Sequence, residues 1–358
     1  MPVTPAGVPS RLVPFTDFGT NPGQLKAWSY VPQGMKRGAP LVVVLHGCTQ
    51  TAAGYDRGSG WSTLADRHGF ALLYPEQQRA NNPNLCFNWF APGDIARDRG
   101  EALSIRQMVA HAVATHAIDD SRIFVTGLSA GGAMTAVMLA TYPEVFAGGG
   151  VIAGLPYGCA TTVPEALSRM RTPDAAGGAE LAERVIAASQ HDGPWPSLSV
   201  WHGTADHTVA VSNMEALVEQ WRALHALPAV PSSSDTIGGQ ARRRWADSRG
   251  RVRLEAIAIA GMAHGTPIAA GGPEGCGTPL PFMIEAGISS TRHLADFWGI
   301  SGGAVGQSTA PASPAIAPPA RARHDAVRLP KPLREAAPVL SGVAKVIDDA
   351  LRAAGLLK

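Results

Sequence analysis

The chain has 358 residues, of which 45% are hydrophobic and 16% are charged, and its formal net charge is +2. This length and apolar content suffice for a large buried core, and the weak net charge provides no strong field that would attract nucleic acid. No apolar run approaches the roughly 20 residues that span a bilayer, so a transmembrane segment is not expected. Residues 1–7 lack a basic stretch followed by an apolar core, so no secretory signal is apparent.

Strand-like and helix-like segments alternate in the first third of the chain. The pattern predicts elements at residues 25–31 (strand), 40–45 (strand), 61–68 (helix), 70–74 (strand) and 101–117 (helix). Residues 40–45 are apolar without interruption, which is typical of a parallel strand buried on both faces. A long loop rich in Asn and Pro then extends to about residue 98, and loops of this length inside compact domains often shape binding sites.

The same alternation continues through the rest of the main domain. It predicts elements at residues 122–126 (strand), 130–141 (helix), 147–152 (strand), 196–201 (strand), 213–223 (helix), 252–259 (strand) and 289–298 (helix). This order indicates an α/β fold with a mostly parallel central sheet covered by helices on both faces. Residues 154–196 break the alternation and are predicted to form a cap or insertion beside the site.

The C-terminal region differs in composition from the main domain, which is predicted to span residues 1–300. Residues 301–336 are rich in Pro, Ala and Gly and cannot build a core, so they are predicted to be a linker. In residues 337–358 apolar side chains recur at helical spacing, which predicts an amphipathic helix. We expect this helix to lie back on its own domain; docking on a hydrophobic polymer or granule surface, or self-association, is the alternative.

A serine between glycines stands at a predicted strand-to-helix junction. Residues 127–131 read Gly-Leu-Ser-Ala-Gly, after the apolar run 123–125 and before the helix-like run 132–139. This arrangement is the nucleophile elbow of an α/β-hydrolase, in which glycines permit a turn too tight for side chains. The turn places Ser129 at the start of a helix, where free N–H groups favour developing negative charge. An ordinary Gly/Ser turn in a glycine-rich chain is the alternative.

Two further side chains suited to catalysis follow later predicted strands. A serine hydroxyl needs a base that is oriented by an acid, and in this fold the acid and then the histidine follow the nucleophile along the chain. Asp206 comes just after one strand and His264 just after a later one, so the predicted triad is Ser129, Asp206 and His264. His202 and His207 are rival bases, but both lie close to Asp206 rather than after a further strand.

Acyl transfer also needs N–H donors for the oxyanion. The first is predicted to be the backbone N–H of Ala130, directly after the nucleophile. The second is expected from the loop after an early strand, where Gly47 would let the N–H of Cys48 point inward. His46 is predicted to support this loop through hydrogen bonds and to take no part in catalysis. This chemistry requires neither a metal nor an organic cofactor.

The four cysteines permit three pairings, and none lies in a Cys-x-x-Cys motif that would indicate zinc or redox chemistry. We favour Cys48–Cys86 and Cys159–Cys276, each of which would hold a loop near the predicted site. A Cys48–Cys86 bridge would also hold the predicted oxyanion donor in place. Four reduced, buried thiols are the alternative.

Several spaced motifs together resemble the poly(3-hydroxybutyrate) depolymerase family of esterases, within the α/β-hydrolase superfamily. The matching stretches are residues 46–50 (His-Gly-Cys-Thr-Gln), 86–89 (Cys-Phe-Asn-Trp), 127–132 (Gly-Leu-Ser-Ala-Gly-Gly), 201–206 (Trp-His-Gly-Thr-Ala-Asp), 261–265 (Gly-Met-Ala-His-Gly) and 287–292 (Gly-Ile-Ser-Ser-Thr-Arg). The resemblance covers about residues 18–300. It implies secretion, disulfides and hydrolysis of short-chain hydroxyalkanoate esters, and it supports the same triad and oxyanion donors.

The predicted function is therefore a serine carboxylesterase that cleaves poly(3-hydroxybutyrate) or its oligomers. A feruloyl or acetylxylan esterase is the first alternative, and a non-catalytic polymer- or granule-binding protein on a hydrolase scaffold is the second. Trp89 in the long loop is expected to line the cleft, with a core position as its alternative, and Tyr157 is a further candidate for substrate contact. The cysteines and the resemblance favour an extracellular or periplasmic location, with a cytoplasmic one as the alternative.

Overall fold

The structure is a computed structural model, and it describes residues 10–302. The predicted linker at residues 301–336, apart from its first two residues, and the predicted helix at residues 337–358 lie outside this part. Within it, the helices are α1 (Ala52–Ser59), α2 (Trp61–His68), α3 (Pro92–Ile95), α4 (Gly100–His116), α5 (Ala130–Thr141), α6 (Val163–Arg171), α7 (Gly178–Ser189), α8 (Ser212–Leu224) and α9 (Ser290–Phe297). No helix between residues 10 and 302 is both long and apolar enough to cross a membrane.

A ten-stranded sheet forms the centre of the described part. The strands, in chain order, are β1 (Val13–Pro14), β2 (Lys26–Tyr30), β3 (Leu41–Leu45), β4 (Ala71–Glu76), β5 (Ile123–Leu128), β6 (Gly148–Ile152), β7 (Ser197–Gly203), β8 (Ser233–Ile237), β9 (Gln240–Ala246), β10 (Val252–Ile259), β11 (Thr266–Ile268) and β12 (Met283–Glu285). Their order across the main sheet is β1-β2-β4-β3-β5-β6-β7-β10-β9-β8, and β11 pairs separately with β12. The central strands from β4 to β10 run parallel, and antiparallel strands complete both edges. The predicted mostly parallel sheet is thus confirmed.

Strand β3 shows that the sheet is buried on both faces. Leu41, Val43 and Leu45 belong to one hydrophobic cluster, and Val42 and Val44 belong to a second one. The first cluster contains side chains of α4, α5, α7 and α8, whereas the second contains side chains of α1, α2 and α9. Because successive strand residues point to opposite faces, an uninterrupted apolar run is what two helical layers require.

Residues 154–196, predicted as a cap or insertion, contribute instead to a helical layer. The segment contains α6 and α7, and Val185 of α7 is fully buried in the first hydrophobic cluster together with α5 and α8. Thr162 precedes helix α6 as its N-cap, and its side chain accepts a hydrogen bond from the N–H of Glu165. Both helices have polar outer faces, so the alternation of strands and helices is not recognisable in this part of the sequence.

The hairpin of β8 and β9 at one sheet edge was not predicted. Its two-residue loop, Gly238 and Gly239, has positive φ at both positions, as the favoured tight hairpin turns require. Three consecutive arginines interrupt the apolar alternation of β9. Two of them, Arg242 and Arg244, form ion pairs with Asp235 on the neighbouring strand instead of packing into a core. The Gly-Gly pair is the signal that could have revealed this hairpin.

A ladder of backbone hydrogen bonds continues past the carboxyl ends of the central strands. Ser129 N–H donates to Ile152 O at 2.9 Å, and Ala153 N–H donates to Trp201 O at 2.8 Å. One strand further, Thr204 N–H donates to the last residue of β10 at 3.0 Å. The loops after β5, β7 and β10 therefore lie side by side at one edge, as expected for ligand sites of parallel sheets.

Candidate active site

Ser129 occupies the turn between β5 and α5 in a strained backbone conformation. Its φ is 57° and its ψ is −118°, a combination that few residues other than glycine adopt. The flanking glycines make the turn possible: a Cβ at Gly127 would lie 2.4 Å from the carbonyl carbon of Gly131, and a Cβ at Gly131 would lie 2.3 Å from the carbonyl oxygen of Leu45. Ser129 is 9% exposed, and its hydroxyl makes no hydrogen bond with another residue between 10 and 302.

Asp206 lies in the loop after β7, where both oxygens of its carboxylate accept hydrogen bonds. Oδ1 accepts the backbone N–H groups of Thr208 at 2.8 Å and Val209 at 2.9 Å. Oδ2 faces the Nδ1 of His264 at 2.6 Å. Burial alone would raise the pKa of Asp206, but hydrogen bonds from His202, His264 and Val209 outweigh it and hold the pKa well below its usual range.

His264 lies in the loop after β10, close to the loop after β7. A Cβ at Gly203 would lie 2.2 Å from the carbonyl oxygen of Met262, so only glycine allows the two loops this approach. His264 is 9% exposed and uses Nδ1 toward Asp206, which leaves Nε2 free for a substrate or nucleophile. Within residues 10–302, no hydrogen bond joins Ser129 to His264; catalytic contacts of this kind often tighten only in the Michaelis complex.

The two rival histidines occupy different surroundings. His202 is fully buried, and its Nε2 lies 2.8 Å from Val209 O and 3.4 Å from Asp206 Oδ2. It therefore contacts the acid from the interior, away from any substrate. His207 is exposed to solvent. Of the three, His264 alone makes a short hydrogen bond to Asp206 while keeping part of its side chain exposed, 7% against 0% for His202.

The two predicted oxyanion donors lie on neighbouring loops. Ala130 is the first residue of α5, and Cys48 follows Gly47 in the loop after β3. In the described part of the chain, neither backbone N–H donates a hydrogen bond to a protein acceptor. Such free N–H groups beside a nucleophile can stabilise a developing oxyanion. Gln50 holds the loop from the other side, since its Oε1 accepts the Gly47 N–H at 2.8 Å.

The predicted Cys48–Cys86 disulfide is confirmed, and it ties the loop after β3 to the long loop after β4. A backbone hydrogen bond from Thr49 N–H to Asn84 O, 2.7 Å long, joins the same two segments. His46 supports the loop as well: its Nδ1 lies 2.8 Å from Gly47 O, and its Nε2 accepts the Gln77 N–H. Burial lowers the pKa of His46, which favours the neutral ring that these bonds require.

The predicted Cys159–Cys276 disulfide is wrong. Both cysteines are free and buried, and they pack against different helical layers. Cys159 belongs to the first hydrophobic cluster, where burial raises the pKa of its thiol to about 12. Cys276 packs beside Gly60, and its Sγ lies 3.5 Å from Ser289 Oγ. Sequence spacing carries no information on which layer a cysteine joins, so the pairing could not be derived from it.

The two predicted substrate-contacting side chains differ in their surroundings. Trp89 is only 7% exposed and belongs to the first hydrophobic cluster, with its ring 5.4 Å from that of Phe90. The core alternative therefore accounts for its position. Tyr157 is half-buried after β6, where Gln220 bonds both its N–H and its carbonyl oxygen. Tyr157 thus stays a candidate for substrate contact.

A buried carboxyl group that the sequence reasoning missed supports the loop of Cys86 and Trp89. Glu101, on α4, is 1% exposed and accepts hydrogen bonds from Asn88 N–H at 2.9 Å and Gln77 Nε2 at 2.6 Å. Gln77 also donates to Cys86 O at 3.1 Å. Burial and the nearby Asp94 raise the pKa of Glu101 to about 8, against the opposing effect of the donated hydrogen bonds.

This raised pKa predicts that the free energy of unfolding falls as pH rises from about 4.5 to about 8, because the folded chain binds the Glu101 proton more tightly than the unfolded chain does. Urea titrations between pH 5 and pH 8 measure this slope. Glu101→Gln should flatten it, and Asp94→Asn should move the decline to lower pH by removing the second cause of the shift. Parallel pH slopes for the wild type and Glu101→Gln would contradict the assignment.

The parallel sheet, the elbow serine and the acid–histidine pair define an esterase of the serine-hydrolase class with an α/β-hydrolase fold. Residues 26–243 match the model of a family described as esterase PHB depolymerase, and the chain belongs to this family. The resemblance seen in the motifs is thus confirmed.

The relatives that are similar to this chain include esterases named for different substrates. It is 48% identical over 297 residues to poly(3-hydroxyalkanoate) depolymerase C of Paucimonas lemoignei, covering 81% of the chain and 70% of that protein. It is 29% identical to feruloyl esterase B of Talaromyces funiculosus, covering 74% of the chain and 75% of that protein. The solved structure of acetyl xylan esterase from Aspergillus awamori matches with a TM-score of 0.68 and 25% identity, covering 81% of this chain and 99% of that one.

Proposed function

We propose that this protein hydrolyses the ester bonds of poly(3-hydroxybutyrate) or its short oligomers, with Ser129, His264 and Asp206 as catalytic triad. The main support for this chemistry is the 2.6 Å contact between Asp206 Oδ2 and His264 Nδ1, at the sheet edge that also holds the elbow serine. The substrate class is supported by the 48% identity to a poly(3-hydroxyalkanoate) depolymerase, against 29% to a feruloyl esterase.

In the proposed mechanism, Ser129 Oγ attacks the ester carbonyl carbon while His264 Nε2 takes the hydroxyl proton. The N–H groups of Cys48 and Ala130 donate to the oxyanion of the tetrahedral intermediate. When the intermediate collapses, His264 gives its proton to the leaving alcohol oxygen. Water then loses a proton to His264 and attacks the carbonyl carbon of the acyl-enzyme. When this second intermediate collapses, the bond to Ser129 Oγ breaks, His264 returns the proton to that oxygen, and the acid is released. Asp206 keeps the Nδ1 proton of the imidazole in place throughout.

We also propose an extracellular or periplasmic location. The Cys48–Cys86 disulfide supports it, because disulfides persist in oxidising compartments and are rare in the cytosol. The bridge joins the loop of a proposed oxyanion donor to the loop stabilised by Glu101. The disulfide is therefore expected to hold the proposed oxyanion donor in place as well as to stabilise the fold.

A substrate panel tests the proposed activity. The purified protein is assayed on the linear trimer of 3-hydroxybutyrate, on methyl ferulate and on acetylated xylan, with released acid measured by chromatography. We expect kcat/KM on the trimer to exceed that on the other two esters by at least about tenfold, a difference of the size that pocket complementarity supplies. Faster release of acetate or ferulate would instead favour the corresponding polysaccharide esterase. Failure of an organophosphate to label Ser129 would favour a non-catalytic binding protein.

A further inference from the structure

A tight turn beside His264 contains an aromatic residue whose backbone conformation is unusual. Residues 280–283 form the turn, in which Met283 N–H donates to Leu280 O at 2.8 Å. Its second residue is proline, and its third, Phe282, has a φ of 64°. Four-residue turns with proline second and positive φ third normally have glycine at that third position. Any residue with a Cβ is strained there, because the Cβ crowds the backbone.

The turn is attached to both loops that flank the site. Thr266 N–H, two residues after the proposed base, donates to Phe282 O at 2.8 Å. Gln50 connects the other side: its Oε1 accepts the Gly47 N–H at 2.8 Å, and its Nε2 lies 3.5 Å from Pro281 O. The turn therefore bridges the histidine loop and the loop of the proposed oxyanion donor.

The Phe282 ring lies edge-on to the imidazole of His264. The two ring centroids are 6.3 Å apart, and the ring planes make an angle of 76°. Phe282 is half-buried, so part of its surface is exposed. Among the non-glycine residues of the described part with positive φ, Phe282 carries the only aromatic ring. A strained position that holds a large apolar group beside a reacting residue points to a role in function.

We propose that Phe282 is a specificity-determining residue that contacts the alcohol portion of the ester substrate. The inference rests on the proposed function, in which His264 returns a proton to the leaving alcohol oxygen. A ring next to that imidazole therefore lies beside the leaving alcohol. In a 3-hydroxybutyrate chain this portion is a secondary alcohol that carries a methyl group, and an aromatic wall complements such an apolar branch.

Two esters with the same acid and different alcohols test the proposal. Methyl 3-hydroxybutyrate has a small primary alcohol, whereas sec-butyl 3-hydroxybutyrate reproduces the methyl-branched secondary alcohol of the polymer. We expect Phe282→Ala to lower kcat/KM on the sec-butyl ester about tenfold, while kcat/KM on the methyl ester changes by less than about twofold. Phe282→Gly should show the same selective loss. It should also melt roughly 2 °C or more above Phe282→Ala, because glycine relieves the strain at this φ.

Phe297→Ala is the matched control, since Phe297 is also half-buried but lies at the end of α9. It should leave the ratio of the two rates unchanged. Equal losses on both esters in the Phe282 variants, or no loss on either, would overturn the assignment of Phe282 while the esterase function stands. A wild-type protein that hydrolyses neither ester would overturn the proposed function and this inference with it.

Discussion

Replacement of Ser129 by alanine is expected to lower kcat on hydroxybutyrate oligomers by about 10⁶-fold, the loss typical of removing the nucleophile of a serine hydrolase. The reason is chemical, because the substitution removes the hydroxyl that is proposed to attack the ester, at the turn directly before the free N–H of Ala130. Alanine carries the same Cβ as serine, so the strain at φ 57° is unchanged and the fold should be retained. Oligomer hydrolysis, followed by release of monomer, measures the loss.

Ser121→Ala is the matched control for this substitution, since Ser121 is an exposed serine in the turn before β5. It should leave kcat unchanged. Circular dichroism and melting temperature establish that the Ser129 variant is folded. A folded Ser129→Ala protein with activity within tenfold of the wild type would exclude Ser129 as the nucleophile.

Replacement of Asp206 by asparagine should lower kcat at neutral pH by about 10⁴-fold, as a wrong histidine tautomer does in other triads. The geometry dictates how the amide is oriented. Two backbone N–H groups, those of Thr208 and Val209, point at Oδ1, so the amide oxygen must face them. The amide NH₂ then faces His264 and forces Nδ1 to accept a hydrogen bond. The imidazole proton moves to Nε2, which can no longer take the proton of Ser129.

The same variant should change how stability depends on pH. Because the pKa of Asp206 is lower in the folded chain, its contribution to the free energy of unfolding is complete above its ordinary pKa near 3.9 and is lost as pH falls below that value. Urea titrations from pH 7 to pH 2.5 should therefore show a shallower acid decline for Asp206→Asn than for the wild type. The exposed Asp120→Asn serves as control and should follow the wild type. Coincident acid slopes for the wild type and Asp206→Asn would contradict the depressed pKa.

Much of the fold could be predicted because its strands and helices carry strong local patterns. The predicted bounds of α2, α5 and β10 coincide with the observed ones. The uninterrupted apolar run of β3 is a direct result of its burial between two helical layers. Helix α7 and the arginine-rich β9 have polar outward faces and weaker patterns, whereas α1 went unpredicted because it buries polar residues such as Asp56 and Ser59 and contains two glycines.

The candidate site was predictable to the extent that the topology determines it. Residues just after parallel strands meet at one edge, so Asp206 and His264 could be paired before their 2.6 Å contact was seen. Contacts between distant loops could not be derived in this way. The separation of Cys159 and Cys276, the burial of Trp89 and the ring of Phe282 beside His264 all depend on how loops pack in three dimensions.

Helix α5 buries every one of its residues, and it begins directly after the elbow serine. Its first turn meets the backbone of β3 so closely that glycine alone fits at Gly131. The turn that holds Ser129 is therefore fixed by close backbone contacts in the protein interior. If Ser129 is the nucleophile, as proposed, we expect changes in ester preference to arise from substitutions in the surrounding loops, because substitutions in this turn would disturb the backbone contacts that hold it.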